Sequence, residues 1–248
     1  SFVHSRHPAS HMIRRSLSVV VPLLFAAGIV MAVEWSDVEG RIQYAWYTED
    51  TRALRGVLAS LEGGVSDDPL QAYYLGFGQY RLALLGLGRA REAAAKAAEN
   101  CVDHLAAANE ARRDFADALA LQAACQGLVA SLKAWKAPLL APRSASQLER
   151  ALQLAPRNPR VLLLAALADG DSERAYGSLR KAVAAFEEER RGTASLPAWG
   201  APEAYLQLAR RQLERGDSTV ARSTLERALL LAPDFGQAKR FMATITAG

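Results

Sequence analysis

The sequence predicts an all-α fold, an α-α superhelix of stacked antiparallel helix hairpins with about five hairpins and a C-terminal capping helix. Three observations carry that expectation. Apolar residues recur at helical spacing along the body, and no stretch keeps a strand's alternation for long. Alanine and leucine dominate, which suits close helix contacts. The chain also repeats itself. Gly170-Asp171-Ser172, followed by Ala175, Leu179 and Ala182, returns as Gly216-Asp217-Ser218, followed by Ala221, Leu225 and Ala228, at a constant offset of 46 residues. A hairpin with one apolar flank cannot bury it alone and must stack on neighbours.

Residues 1–32 read as an address rather than a fold. Ser1 to His11 holds three of the four histidines and reads as tag or upstream sequence. Met12-Ile13-Arg14-Arg15 is a short basic start, and Leu17 to Val33 is apolar apart from Ser18 and Pro22. Val30 and Ala32 stand at −3 and −1 of a signal-peptidase site, so cleavage is expected after Ala32 and the product in the periplasm. The apolar run falls short of the ~20 residues of a standard span. No cysteine follows it, which argues against a lipid anchor. Membrane contact is expected only through this segment, where it stays uncleaved. Residues 33–248 are read as one helical repeat domain.

The first hairpin of that domain runs from Ser36 to Tyr47 and from Asp50 to Glu62, and Gly63, Gly64 and Asp67-Asp68-Pro69 end it. A longer one runs from Pro69 to Leu87 and from Arg89 to Ala111, joined at Gly88. Asp114 to Trp135 is the first helix of the third, Pro138 and Pro142 bound a loop, and Ser144 to Pro156 closes the unit. Arg157 to Phe186 is the fourth hairpin. Gly192, Pro197 and Gly200 break the pattern between Glu188 and Ala201. Pro202 to Phe235 is the fifth, and Phe235 to Ala247 is the cap.

Pro202 to Phe235 resembles one 34-residue unit of a tetratricopeptide repeat. Tyr205 takes the large aromatic place and Leu208-Ala209 the apolar and small pair. Gly216 takes the turn, Ala221, Leu225 and Ala228 the second helix, and Pro233 the stop. The offset of 46 is then one unit and an insertion of 12. Asp171 and Asp217 are placed to cap the second helices. The resemblance implies a concave face lined by the first helix of each hairpin. Its groove positions are Arg157, Arg160, Leu164 and Leu167 in one unit and Glu203, Leu206, Arg210 and Leu213 in the next. Leucines flanked by arginines suit a peptide or amphipathic helix with acidic groups, and packing on the next hairpin is the competing role. The Lys/Asn carboxylate clamp of chaperone-binding relatives is missing from these positions.

Cys101 and Cys125 are equidistant from a turn at Arg113, each ~18 Å along its helix. They are expected side by side, as a disulfide or as two buried thiols. His104 lies one turn from Cys101, but three ligands competing with a disulfide are a weak metal signal, and no metal or other cofactor is expected. His104 is the only histidine of the body, and no nucleophile elbow or phosphate loop is present, so no catalytic residues are assigned. Gly76, Gly78, Gly86 and Gly88 read as packing or turn residues. Tyr73, Phe77 and Tyr80 share a helix face, as core or as aromatics of a groove, with Tyr73 and Tyr80 the groove candidates. Trp199 sits in the insertion, where it is expected to fold over the groove mouth or mark a contact surface.

The whole chain carries 30 basic and 26 acidic side chains, with three arginines and no acid in residues 1–32. The nearly balanced body offers no global field for nucleic acid or an anionic membrane. The expected function is a non-catalytic periplasmic scaffold that binds a protein or peptide of the cell envelope. The alternative is an accessory subunit of a solute transport system that docks a substrate-binding protein or holds a small apolar ligand. A carboxylate-based enzyme would need a deep pocket with two inward acids.

Overall fold

The computed structural model describes residues 1–2, 34–64, 67–192 and 195–247. The signal segment and its cleavage site lie outside the described residues. Glu34 to Gly248 make one unit, whose described elements are helices in the order α1 (Trp35–Tyr47), α2 (Thr51–Glu62), α3 (Pro69–Gly86), α4 (Arg91–Ala111), α5 (Ala116–Leu132), α6 (Ala137–Leu154), α7 (Pro159–Ala168), α8 (Ser172–Glu189), α9 (Ala201–Glu214), α10 (Ser218–Leu231) and α11 (Gly236–Ala247), with a 3-10 turn at Ala134–Lys136. Consecutive helices pair into five antiparallel hairpins, and α11 packs on α10. The first helices of successive hairpins also touch, α1 with α3, α3 with α5, and α5 with α7.

Helix starts follow their caps. The Asp50 carboxylate accepts from the Arg52 and Ala53 amides, the Asn158 side chain from Arg160 and Val161, and Asp171 from Arg174. Asp217 holds the equivalent place before α10 but makes no such bond. The C-terminal signature packs as its residue types require. Ala209, Ala221, Leu225 and Ala228 are fully buried, Gly216 turns with φ +86°, and α10 ends two residues before Pro233.

One boundary differs from expectation. Pro138 and Pro142 do not bound a loop; α6 starts at Ala137 and includes both. Pro138 falls in the first turn, where a missing N–H is no loss. Pro142 removes one intrahelical bond, while the Ser144 hydroxyl donates to the Ala123 carbonyl at 2.8 Å and fastens α6 to α5.

Close approach shapes the centre. A Cβ at Gly76 or Gly78 would run into Leu105 or Leu58, so α3 lies nearly in contact with α4 and α2. The rings of α3 then fill the interior. Tyr73 stacks on Phe115 with centroids 4.9 Å apart, and Phe77 stacks on Trp199 at 4.8 Å.

The stack does not stay open. Residues of α1 reach the last hairpin and the cap. The Gln43 amide and Tyr47 hydroxyl donate to Glu203, both at 3.2 Å. Tyr47 packs on Phe235 at 4.7 Å, and Arg240 pairs with Glu49.

Candidate functional site

A groove of about 1080 Å3 opens between the helices. Its walls come from α3, α5, α6, α7 and α9, and Trp46 of α1 and Gln237 of α11 close one end. The reason is local. Ala120, Ala123, Ala124 and Gly127 recur on one face of α5 at helical spacing, and their small side chains leave space where leucines would fill it. Leu148 and Leu152 of α6 face them with Leu164 and Leu167 of α7.

The residues expected on the groove divide into three sets. Leu164, Leu167, Arg210 and Tyr80 line it. Leu213 is half-buried against α10 and α11, and Arg157 stays outside, paired with Glu188 at 3.2 Å. Arg160, Glu203, Leu206, Trp199 and Tyr73 are buried instead. The sequence pattern placed their backbones on first helices or in the insertion; partners distant in sequence draw their side chains inward.

Arg160 is the centre of one internal cluster. It donates to Asp117 at 2.6 Å and to both oxygens of Glu189 at 2.9 and 2.7 Å, while Asn158 donates to Asp117 at 2.8 Å. Burial opposes its charge, but these carboxylates hold its pKa above the usual guanidinium range. Arg81 is the centre of a second cluster. It pairs with Glu203, donates to Gln43 at 2.9 Å, and lies 4.7 to 5.6 Å from the ring centroids of Trp46, Phe77, Tyr80 and Trp199. A buried arginine among rings gains cation–π attraction in place of lost hydration.

The insertion between α8 and α9 is the strap that joins the two ends. The Trp199 indole N–H donates to the Tyr73 hydroxyl at 2.7 Å, so the tryptophan is core and not a mouth. The Ala198 amide donates to Glu39 at 3.0 Å, and the Tyr74 hydroxyl at 2.9 Å. Burial pushes the Glu39 carboxyl above its ordinary pKa, and those two donors offset part of the rise. Tyr205 donates to Glu187 at 2.6 Å, and burial and that bond push it up to about 12.

Cys101 and Cys125 meet as expected, with their sulfurs at disulfide distance and Cα atoms 6.1 Å apart across α4 and α5. His104 is half-buried, and burial pulls its pKa down. Among the described residues, no three His, Cys, Asp or Glu side chains gather as a metal site. No described helix is long and apolar enough to cross a membrane.

Sequence reasoning missed Trp46, Gln207 and Gln237 on the groove. No periodic signal marks them, because α1, α9 and α11 meet only through the closing of the stack. The small-residue face of α5 is a sign in the sequence that helical phase alone did not bring out.

No protein-family model matches the chain, and no curated protein matches it. The crystal structure of a thermophilic tetratricopeptide-repeat protein from Thermus thermophilus is similar to it, with a TM-score of 0.59 at 16% identity over 85% of this chain and 100% of that one. The helical pairing, the buried repeat signature and this likeness together give the chain a tetratricopeptide-repeat-like fold.

Proposed function

We propose that the chain is a non-catalytic scaffold, exported to the periplasm, that receives a segment of a partner protein of the cell envelope in its concave groove. The groove carries the reading. It is mostly apolar, and four of its walls are first helices, the face on which folds of this type generally hold polypeptides. Its lining has no pair of inward acids free to act as acid and base, since Asp169 is bound to Arg174 at 2.9 Å and Glu149 stands alone on α6. The leader supports export.

The test is capture of partners from native envelope with the wild-type chain and with Ala124→Trp, which fills the groove. A partner retained by the first and lost by the second is expected; equal recovery by both would put docking elsewhere. N-terminal sequencing of the native protein is expected to begin at Val33.

A second reading, an accessory subunit of a solute transport system, is favoured by one observation. Tyr80 and the alanines of α5 line one groove, which suits a small apolar ligand.

A further inference from the structure

At its closed end the groove adjoins a small cavity of about 50 Å3, and both are lined by Trp46, Tyr80, Leu164 and Gln207. Arg81 also lines the cavity. Two donors here have no acceptor, the indole N–H of Trp46 and the Nε–H of Arg81. Both residues are deeply buried, at 5% and 2% exposure. Buried donors are normally satisfied, and one left unpaired is destabilising. Arg81 is not free to turn away, because Gln43 and Glu203 hold its Nη2 and four rings surround it.

The adjoining groove wall adds donors that are half-buried rather than enclosed. Gln207, Gln237 and Arg210 line it, and none has a hydrogen-bond partner among the described residues. Arg210 is half-buried, lies 5.7 Å from the ring centroid of Phe241, and makes no salt bridge among the described residues, with Glu214 one turn on as its neighbouring carboxylate. Burial pulls the Arg210 pKa down, and the charge of Glu214 offsets part of that pull. The buried carboxylate nearby, Glu203, is taken up by Arg81, Gln43 and Tyr47. A water in the small cavity would serve the two orphan donors. It would leave the apolar groove beside it empty.

We propose that the groove binds a small apolar monocarboxylate, with its carboxylate at the donor-lined end of Trp46, Arg81 and Arg210 and its hydrocarbon along the alanines of α5 and the leucines of α6 and α7. The volume lies at the top of the roughly 300–1,000 Å3 of small-molecule sites. The head group meets donors that the protein leaves unused, and the tail runs along a lining that is mostly apolar, with Ser144 and Glu149 of α6 as its polar members. This deepens the transport reading above and rests on it, whereas docking of a partner protein stands apart.

The experiment is calorimetric titration of the full chain with decanoate, and with decanol as the same tail without the charge. One saturable site is expected, with decanol at least about tenfold weaker. Trp46→Phe keeps the ring and removes the donor, and Arg210→Met keeps the stem and removes the charge. Each is expected to weaken decanoate about tenfold and leave decanol unchanged. Ala124→Trp is expected to abolish binding. Should Trp46→Phe fail to fold by circular dichroism, Arg210→Met and Gln207→Ala carry the test. No saturable binding, equal affinity for decanol, indifference to the head-group variants, or binding that survives Ala124→Trp would each overturn the proposal. If decanoate fails to bind while Ala124→Trp still loses a captured partner, the ligand falls and the scaffold stands. If both fail, the groove is not a binding site.

Discussion

In the hairpin of α9 and α10 the helices meet through alanines, with Ala209, Ala221 and Ala228 fully buried and a glycine at the turn. Around α3 the contacts are made by rings and charges. Tyr73 binds Trp199 across 126 residues, and Gln43 binds Glu203 across 160. The first region is held by residues near one another in sequence and repeats a simple rule. The second is held by pairs that no local rule specifies, and it fixes how far the superhelix winds. Repeat regularity therefore builds the hairpins, and irregular side chains close them on one another.

The sharpest way to break this contrast is Arg81→Met. It leaves Glu203 buried without its cation, and is expected to lower stability by about 3–5 kcal/mol in urea unfolding. Adding Glu203→Met should recover part of that loss, because two uncharged side chains leave no buried ion unpaired. Reduction of the Cys101–Cys125 pair comes next. It opens a loop across a sequence separation of 24, and the chain-entropy account gives a loss of about 3 kcal/mol, read as a lower urea midpoint under reductant. Two free thiols in unreduced native protein, found by peptide mapping, would remove this expectation. Tyr73→Phe is smaller. It strands the Trp199 N–H in the interior and is expected to cost about 1–3 kcal/mol, with a change in tryptophan emission. Gly216→Ala is the smallest. There is open space for the new methyl, so only the left-handed backbone resists, at about 1 kcal/mol. Hydrogen exchange sharpens the comparison further. Gly216→Ala should speed exchange in α9 and α10 alone, while Arg81→Met should speed it in α1, α3 and α9 together.

The same contrast explains what could be read from the sequence. The fifth hairpin was legible residue by residue, because Tyr205, Gly216, Ala228 and Pro233 each act within their own unit. The cysteine pair was legible because one turn sets both positions. Pro142 misled, since a helix interior tolerates a proline when a neighbour such as Ser144 holds the segment. The groove was half legible. Leu164, Leu167 and Arg210 follow from helical phase, but the same phase places Arg160 and Glu203 beside them. Only Asp117, Glu189 and Arg81, far off in the chain, decide that these two turn inward.

The meeting of α1 with α9 and α11 has a consequence for how such a chain changes over time. An open row of hairpins can gain or lose a member by duplication, since each addition disturbs one neighbour only. Here an extra member would pull Tyr47 from Phe235 and Glu49 from Arg240, so the tally of hairpins is locked by its own two ends.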